Sequence, residues 1–353
     1  MRAVGLLVVA VLVALAAAAG ASAYGWPIKP FDRQHPIRGF FGDPRTVFEQ
    51  GVLAGAFDGA SVLSFHQGID IVAPNGTPIY PVASGTAHYL GAATLNVDTG
   101  DDVVFQYFHI LPVVGEGQEV VARKTILGYV QAPYGHVHLT EIDGARTVNG
   151  AHAVNPLQRG HLTPYADRTR PTIRDAFFRN QTGLIQTPLG LCGRVEIDVD
   201  TFDMPPVPIP GKFNGLPVAP ALVRWTITRL NGKPVVPWRT SADFRNGVPG
   251  NKQFPDVYAK GTYENAPRFG AQQYAAMPGR YLFLLAGSYD TTELPNGVYV
   301  LGVRVADIRG NQASLSERFT VLNARKGVCP GTLPAPSSPP PSSEPPDGSA
   351  DTP

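Results

Sequence analysis

Charge of either sign is scarce in this chain. Lys and Arg number 29 and Asp and Glu 28 in 353 residues, charged residues make up 16%, and the net charge is +1. No basic block occurs, so nucleic acid is not expected as a partner. Long apolar runs are missing after residue 23, and no later segment has the length to span a membrane. Histidine is missing after His161, so histidine chemistry is excluded from the C-terminal half. Helical periodicity is almost absent, and no internal repeat is visible. The abundant residues are Gly (38) and Pro (35), a mix that favours short strands and turns over long surface helices.

The N-terminal stretch MRAVGLLVVAVLVALAAAAGASA places Arg2 before an apolar run that ends in Ala21-Ser22-Ala23. This reads as a secretory signal over residues 1–23, with the mature chain beginning at Tyr24 and a secreted or cell-envelope location. Retention of the run as an anchor is the alternative; after cleavage no stable membrane insertion is expected. Cysteine is limited to Cys192 and Cys329. In an exported chain such a pair reads as a disulfide, here tying the start of the second half to its end.

The expected fold class is all-β. GIDIVAP, TPIYPVASGTAHYLG, DVVFQYFHI and GHVHLTEI are short, β-branched or aromatic, and bounded by Gly, Pro, Asn or Asp. They give an antiparallel-sheet domain over residues 24–165. Residues 166–325 are expected to form an immunoglobulin-like β-sandwich. RVEIDVD alternates Val195, Ile197 and Val199 against Glu196, Asp198 and Asp200, and Asn231-Gly232 marks a hairpin. The polar-aromatic stretch from about 239 to 280 has a weak pattern. The Pro/Ser-rich residues 326–353 read as a disordered tail.

GHVHLTEI puts His136 and His138 on one face of a strand. In FHQGIDIVAP an extended segment would also align His66, Gly68 and Asp70, with the glycine leaving room between two ligand side chains. Two histidines and a carboxylate with an open fourth position make a catalytic zinc arrangement. His66, Asp70 and one of His136 and His138 would supply it. The unused histidine and His109, in QYFHIL, are candidates for proton acceptor and oxyanion partner. The same three ligands also describe a non-haem iron(II) site, which the exported setting and the additional histidines argue against.

FHQGIDIVAPNGTPIYPVASGTAHYLG, YFHILPVVGEGQEV, LGYVQAPYGHVHLTEI and AVNP resemble the lysostaphin-type (LytM-like) zinc endopeptidases of bacterial cell walls. The resemblance covers about Pro36 to Leu157 and rests on H-x-x-x-D, a central histidine ending an aromatic strand, and a late H-x-H. It implies that His66, Asp70 and His138 bind Zn2+. It also implies that His136 is the general base and that His109 faces the developing oxyanion or orients the water. The implied substrates are peptide cross-links or stems of peptidoglycan. QAPYG is shorter than the family's lead-in to H-x-H, and Thr140-Glu141 replaces the usual Phe-Glu; both are expected to line the groove and bear on substrate preference. A non-catalytic wall-binding activator is the alternative function. His88 reads as structural or exposed, and His35, His152 and His161 as surface residues. Asp198, Asp200 and Asp203 invite comparison with a calcium site. The alternation makes the first two the wet face of a strand, and no such site is expected.

Overall fold

A computed structural model describes residues 23–46, 63–91, 93–144, 153–269, 272–323 and 329. The expected signal and most of the tail lie outside these residues. The chain is all-β with antiparallel sheets, and among the described residues the one α-helix is the single turn Phe254–Val257. No helix among them is long and apolar enough to cross a membrane.

The main N-terminal sheet contains β1 (Ile37–Gly39), β2 (Ile69–Val72), β3 (Gly85–Gly91), β4 (Thr94–Asp98), β5 (Val103–Phe108), β6 (Glu119–Val120), β7 (His136–Asp143) and β8 (Ala153–Val154). Their order is β1-β2-β7-β5-β4-β3-β6, with β8 paired to β7. Alternation sets its two faces. Ile69 and Ile71 of β2 and Val137 and Leu139 of β7 are fully buried, with Leu95, Val97 and Tyr107 beside them in the core. The opposite face of β2 and β7 is therefore left for Asp70, His136 and His138.

The C-terminal half contains β9 (Thr172–Arg179), β10 (Ile185–Gln186), β11 (Arg194–Phe202), β12 (Leu222–Arg229), β13 (Pro234–Asp243), β14 (Leu282–Asp290), β15 (Gly297–Ala306) and β16 (Gln312–Val321). They form two four-stranded sheets, β10-β9-β11-β14 and β13-β12-β15-β16. Phe178 of β9 meets Phe319 of β16 across the sheets, ring centroids 5.1 Å apart. The hairpin falls at Asn231-Gly232, where Gly232 takes φ +79° and its N–H closes on the Arg229 carbonyl at 2.9 Å. Cys192 and Cys329 are bonded across a separation of 137 residues.

Asp198 and Asp200 correct one expectation. They alternate as expected but are not wet, being 0% and 6% exposed. Arg179 Nε donates to Asp198 at 2.7 Å and Arg280 Nε to Asp200 at 3.2 Å. The same two guanidiniums lie over the Phe177 ring, so long side chains roof this face of the sheet.

Within the weakly patterned stretch, residues 244–264 form the seam between the halves. Phe65 packs against Phe244, Phe254 and Tyr258 at centroid distances of 5.8, 5.3 and 5.8 Å. All four rings are buried in a core continuous across both halves. Hydrogen bonds follow the same line. Tyr258 Oη donates to the Gly42 carbonyl at 2.7 Å, Ala219 N–H to Asp43 Oδ1 at 2.6 Å, and Asn155 Nδ2 to the Phe244 carbonyl at 2.8 Å. Arg309 donates to the carbonyls of Leu157 and Tyr165. Such pairing is required where backbone polar groups leave water.

Candidate metal centre

Strand register assembles the centre. In the β2–β7 pairing His138 stands opposite Asp70 and His136 opposite Val72, so the two imidazoles and the carboxylate share one face. His66 is brought from the turn preceding β2, not from a continuous strand as the extended reading expected. Its backbone is pinned instead, its N–H donating to the Asp43 carbonyl and its carbonyl accepting from Gly42 N–H, both at 2.8 Å. Gly68 makes room on the β7 side, not between His66 and Asp70 as the extended reading expected. A Cβ there would stand 2.6 Å from His138 Nε2, 2.8 Å from Thr140 Oγ1 and 2.4 Å from the Leu139 carbonyl oxygen. Gly68→Ala is therefore expected to displace the His138 ring and to destabilise the fold by about 1–3 kcal/mol, the usual range for overpacking. Thermal unfolding tests this, and an unchanged midpoint would show that the turn absorbs the methyl group.

Three acceptor atoms converge. His66 Nε2 and His138 Nδ1 are 2.8 Å apart, and Asp70 Oδ1 lies 3.1 Å from the first and 3.0 Å from the second. The outer nitrogens are tied. His66 Nδ1 lies 2.8 Å from the Phe40 carbonyl, which only accepts, so this nitrogen carries the proton and Nε2 presents its lone pair. His138 Nε2 lies 2.8 Å from Thr140 Oγ1, and donation there leaves Nδ1 facing inward. Orientation of inner lone pairs by outer hydrogen bonds is the usual arrangement around a ligated metal. The electrostatics agree. Burial, reinforced by Arg45, pushes the His66 pKa down to about 3, so the ring is neutral when it meets a cation. Burial alone would raise Asp70, but the Arg45 guanidinium beside it holds its carboxyl well below the usual carboxylate range. Arg45 donates to Asp70 Oδ2 at 2.8 Å, which leaves Oδ1 to face the histidines. Two imidazole nitrogens and one ionised carboxylate oxygen at these separations suit a zinc ion.

His136 stands slightly apart. Its Nδ1 donates to the Tyr134 carbonyl at 2.9 Å, so Nε2 carries the lone pair, 3.5 Å from Asp70 Oδ1. Burial lowers its pKa, with nearby Arg38 adding to the effect against Asp70. His109 directly follows β5 with φ +64°, a left-handed conformation uncommon outside glycine that turns its ring back over the groove. The ring stacks on Tyr134 at 4.1 Å and lies 4.6 Å from that of His136. Burial, then His136, pushes its pKa down to about 4.

These five residues line one open groove of about 970 Å3. Phe213, Asn251, Glu264 and Asn265, from the C-terminal half, line it too. Sequence reasoning missed them because turns carry no periodicity, and it missed Arg38 and Arg45 because they precede the histidine-rich segments.

The structure corrects the reading of two further residues. His161 is buried, its Nδ1 2.8 Å from Glu141 Oε1. Glu141 is 1% exposed, not groove-lining, because it also accepts from Tyr24 Oη beneath the sheet. Thr140 does line the groove. His88 is half exposed and paired with Glu116 at 2.7 Å, His35 is half-buried against Trp26, and His152 lies outside the described residues. Asp203 gathers with Asp167 and Asp307 rather than with Asp198 and Asp200.

No family model matches the chain, and no curated protein matches it. Among solved structures it is similar to the catalytic domain of the antimicrobial peptidase lysostaphin from Staphylococcus simulans, at 18% identity over 33% of this chain and 86% of that one, TM-score 0.24. It is also similar to a catalytic-domain mutant of the prophage-encoded M23 protein EnpA from Enterococcus faecalis, at 23% identity over 40% and 99%, TM-score 0.25. A third is LytU, at 26% identity over 36% and 86%, TM-score 0.25.

Proposed function

We propose that the chain is a zinc-dependent endopeptidase. The observation that carries this reading is the convergence of His66 Nε2, Asp70 Oδ1 and His138 Nδ1 within 3.1 Å of one another, beside the unprotonated Nε2 of His136 on an open groove. The more particular reading is an exported hydrolase of peptidoglycan cross-links or stem peptides, by the sequence resemblance and the expected signal. The C-terminal half we read as an immunoglobulin-like sandwich, in keeping with its two-sheet strand order.

His66, Asp70 and His138 would hold the metal, which when bound supplies a Lewis acid and a water of near-neutral pKa. His136 Nε2 takes the proton of the attacking water, since a ring neutral at pH 7 can accept one, and returns it to the departing amide nitrogen. The carbonyl of Tyr134 holds that ring in the accepting tautomer. His109 donates a hydrogen bond to the oxygen that gains charge, and its stacking on Tyr134 fixes its direction. Arg45 keeps Asp70 ionised and turned inward.

Purified chain from Tyr24 onward, incubated with isolated sacculi, is expected to release new amine groups, and a zinc chelator is expected to stop the release. Zinc bound with no release from several wall types would move the function to a non-catalytic wall-binding activator.

A further inference from the structure

The charges of the groove leave one cluster unused by the chemistry above. Arg38, on β1, places its guanidinium 4.3 Å over the ring of Phe213, and Lys212 Nζ lies 5.3 Å from the same ring. The ring is a shared platform for two cations from opposite halves of the chain. Among the described residues neither cation has a carboxylate partner. Among the described residues Arg38 reaches only the Tyr134 carbonyl at 3.3 Å and His136 Nε2 at 3.4 Å, both at the long end for a hydrogen bond, and Lys212 has no carboxylate partner. The acids that line the groove are engaged elsewhere. Asp43 accepts from Phe40 and Ala219 N–H, Asp70 is held by Arg45 and the histidines, and Glu264 accepts from Thr46 N–H at 3.1 Å. A smaller pocket of about 290 Å3, lined by Lys212, Phe213, Glu264, Asn265 and Gln273 among others, shares Phe213, Glu264 and Asn265 with the main groove. The groove thus continues past Phe213.

Two unneutralised cations on one aromatic platform suit a carboxylate. An arginine stacked on a ring still offers the in-plane N–H groups that grip both oxygens. We propose that Arg38, Phe213 and Lys212 form a subsite for a free carboxylate of the peptide substrate. The position fixes the register. A carboxylate bonded to Arg38 Nη2, itself 3.4 Å from His136 Nε2, lies within roughly 6 Å of that atom, at most about two residues along an extended chain at ~3.4 Å per residue. The preferred substrates are then peptides whose carboxylate, terminal or side-chain, is left free within about two residues of the bond that is cut. This inference rests on the peptidase reading for its register, but not for the binding itself.

The test uses the zinc-loaded chain and soluble stem peptides released from sacculi, either untreated or with their carboxylates amidated by ammonia and a carbodiimide. Calorimetry follows binding, and amine release follows cleavage separately. The untreated peptides are expected to bind at least about tenfold more tightly, the difference that one charge-assisted contact makes. Lys212→Glu, at an exposed position where misfolding is not an issue, and Arg38→Gln are each expected to draw that ratio towards one. Equal binding of both forms, or a ratio that neither substitution moves, overturns the subsite. Preferential binding without cleavage leaves the subsite standing and removes the peptidase reading; cleavage with equal binding does the reverse.

Discussion

His136→Gln is expected to keep bound zinc and to lose about two to four orders of magnitude in turnover, the range that a positioned general base supplies. The geometry separates base from ligand. The three inner atoms lie 2.8–3.1 Å from one another, whereas His136 Nε2 approaches Asp70 Oδ1 only to 3.5 Å and also faces Arg38. Glutamine preserves the volume and can still donate to the Tyr134 carbonyl, but it has no basic nitrogen to take a proton. Elemental analysis beside a turnover assay checks both halves of the statement. Loss of zinc would make His136 a ligand; full turnover would remove it from the chemistry.

Cutting the chain near residue 168 has an equally large expected effect. Residues 24–168 alone are expected to aggregate, or to lack a cooperative unfolding transition, although every histidine is retained. The cut exposes Phe65, which is 2% exposed in the whole chain. It also removes the partners of Gly42, Asp43, Thr46 and Asn155. Burying one such aromatic ring is worth about 1.5–3 kcal/mol, and each seam hydrogen bond exchanged for one to water is worth about 0.5–1.5 kcal/mol. Several such losses are of the same order as the 5–15 kcal/mol that typically holds a domain folded. Calorimetry of the fragment is the check. A cooperative transition near that of the full chain would show that the seam contributes little.

The sequence made the chemistry more legible than its setting. H-x-x-x-D and H-x-H could be read because β alternation turns spacing into a shared face, and that part of the geometry holds for Asp70, His136 and His138. His66 reaches the same point by a different route, through a turn pinned to Gly42 and Asp43, which no periodicity encodes. Asp198 and Asp200 alternate as read, yet arginines distant in sequence cover them. His161 and Glu141 face one another below the sheet because β7 and the segment after β8 meet there, a contact separated by 20 residues. The stretch from 239 to 280 was unreadable for a physical reason. Phe244, Phe254, Tyr258 and Glu264 answer to the surface of the other half, so neither a period of 2 nor one of 3.6 organises them.

The groove therefore draws on two sources. The proposed metal-facing and proton-handling atoms sit on or beside paired strands of the N-terminal half, where a one-residue slip would turn them to the wrong face. Phe213, Asn251, Glu264 and Asn265 sit on turns of the C-terminal half, which tolerate substitution and insertion far better. Phe213 is free to change without disturbing the first group, whereas Glu264 and Asn251 also hold Thr46 and Phe65 across the seam. Descendants of this chain could thus inherit the proposed reaction intact while their diet of peptides drifts, and a laboratory seeking a new specificity would randomise the turn around 212 and leave the histidines and the seam alone.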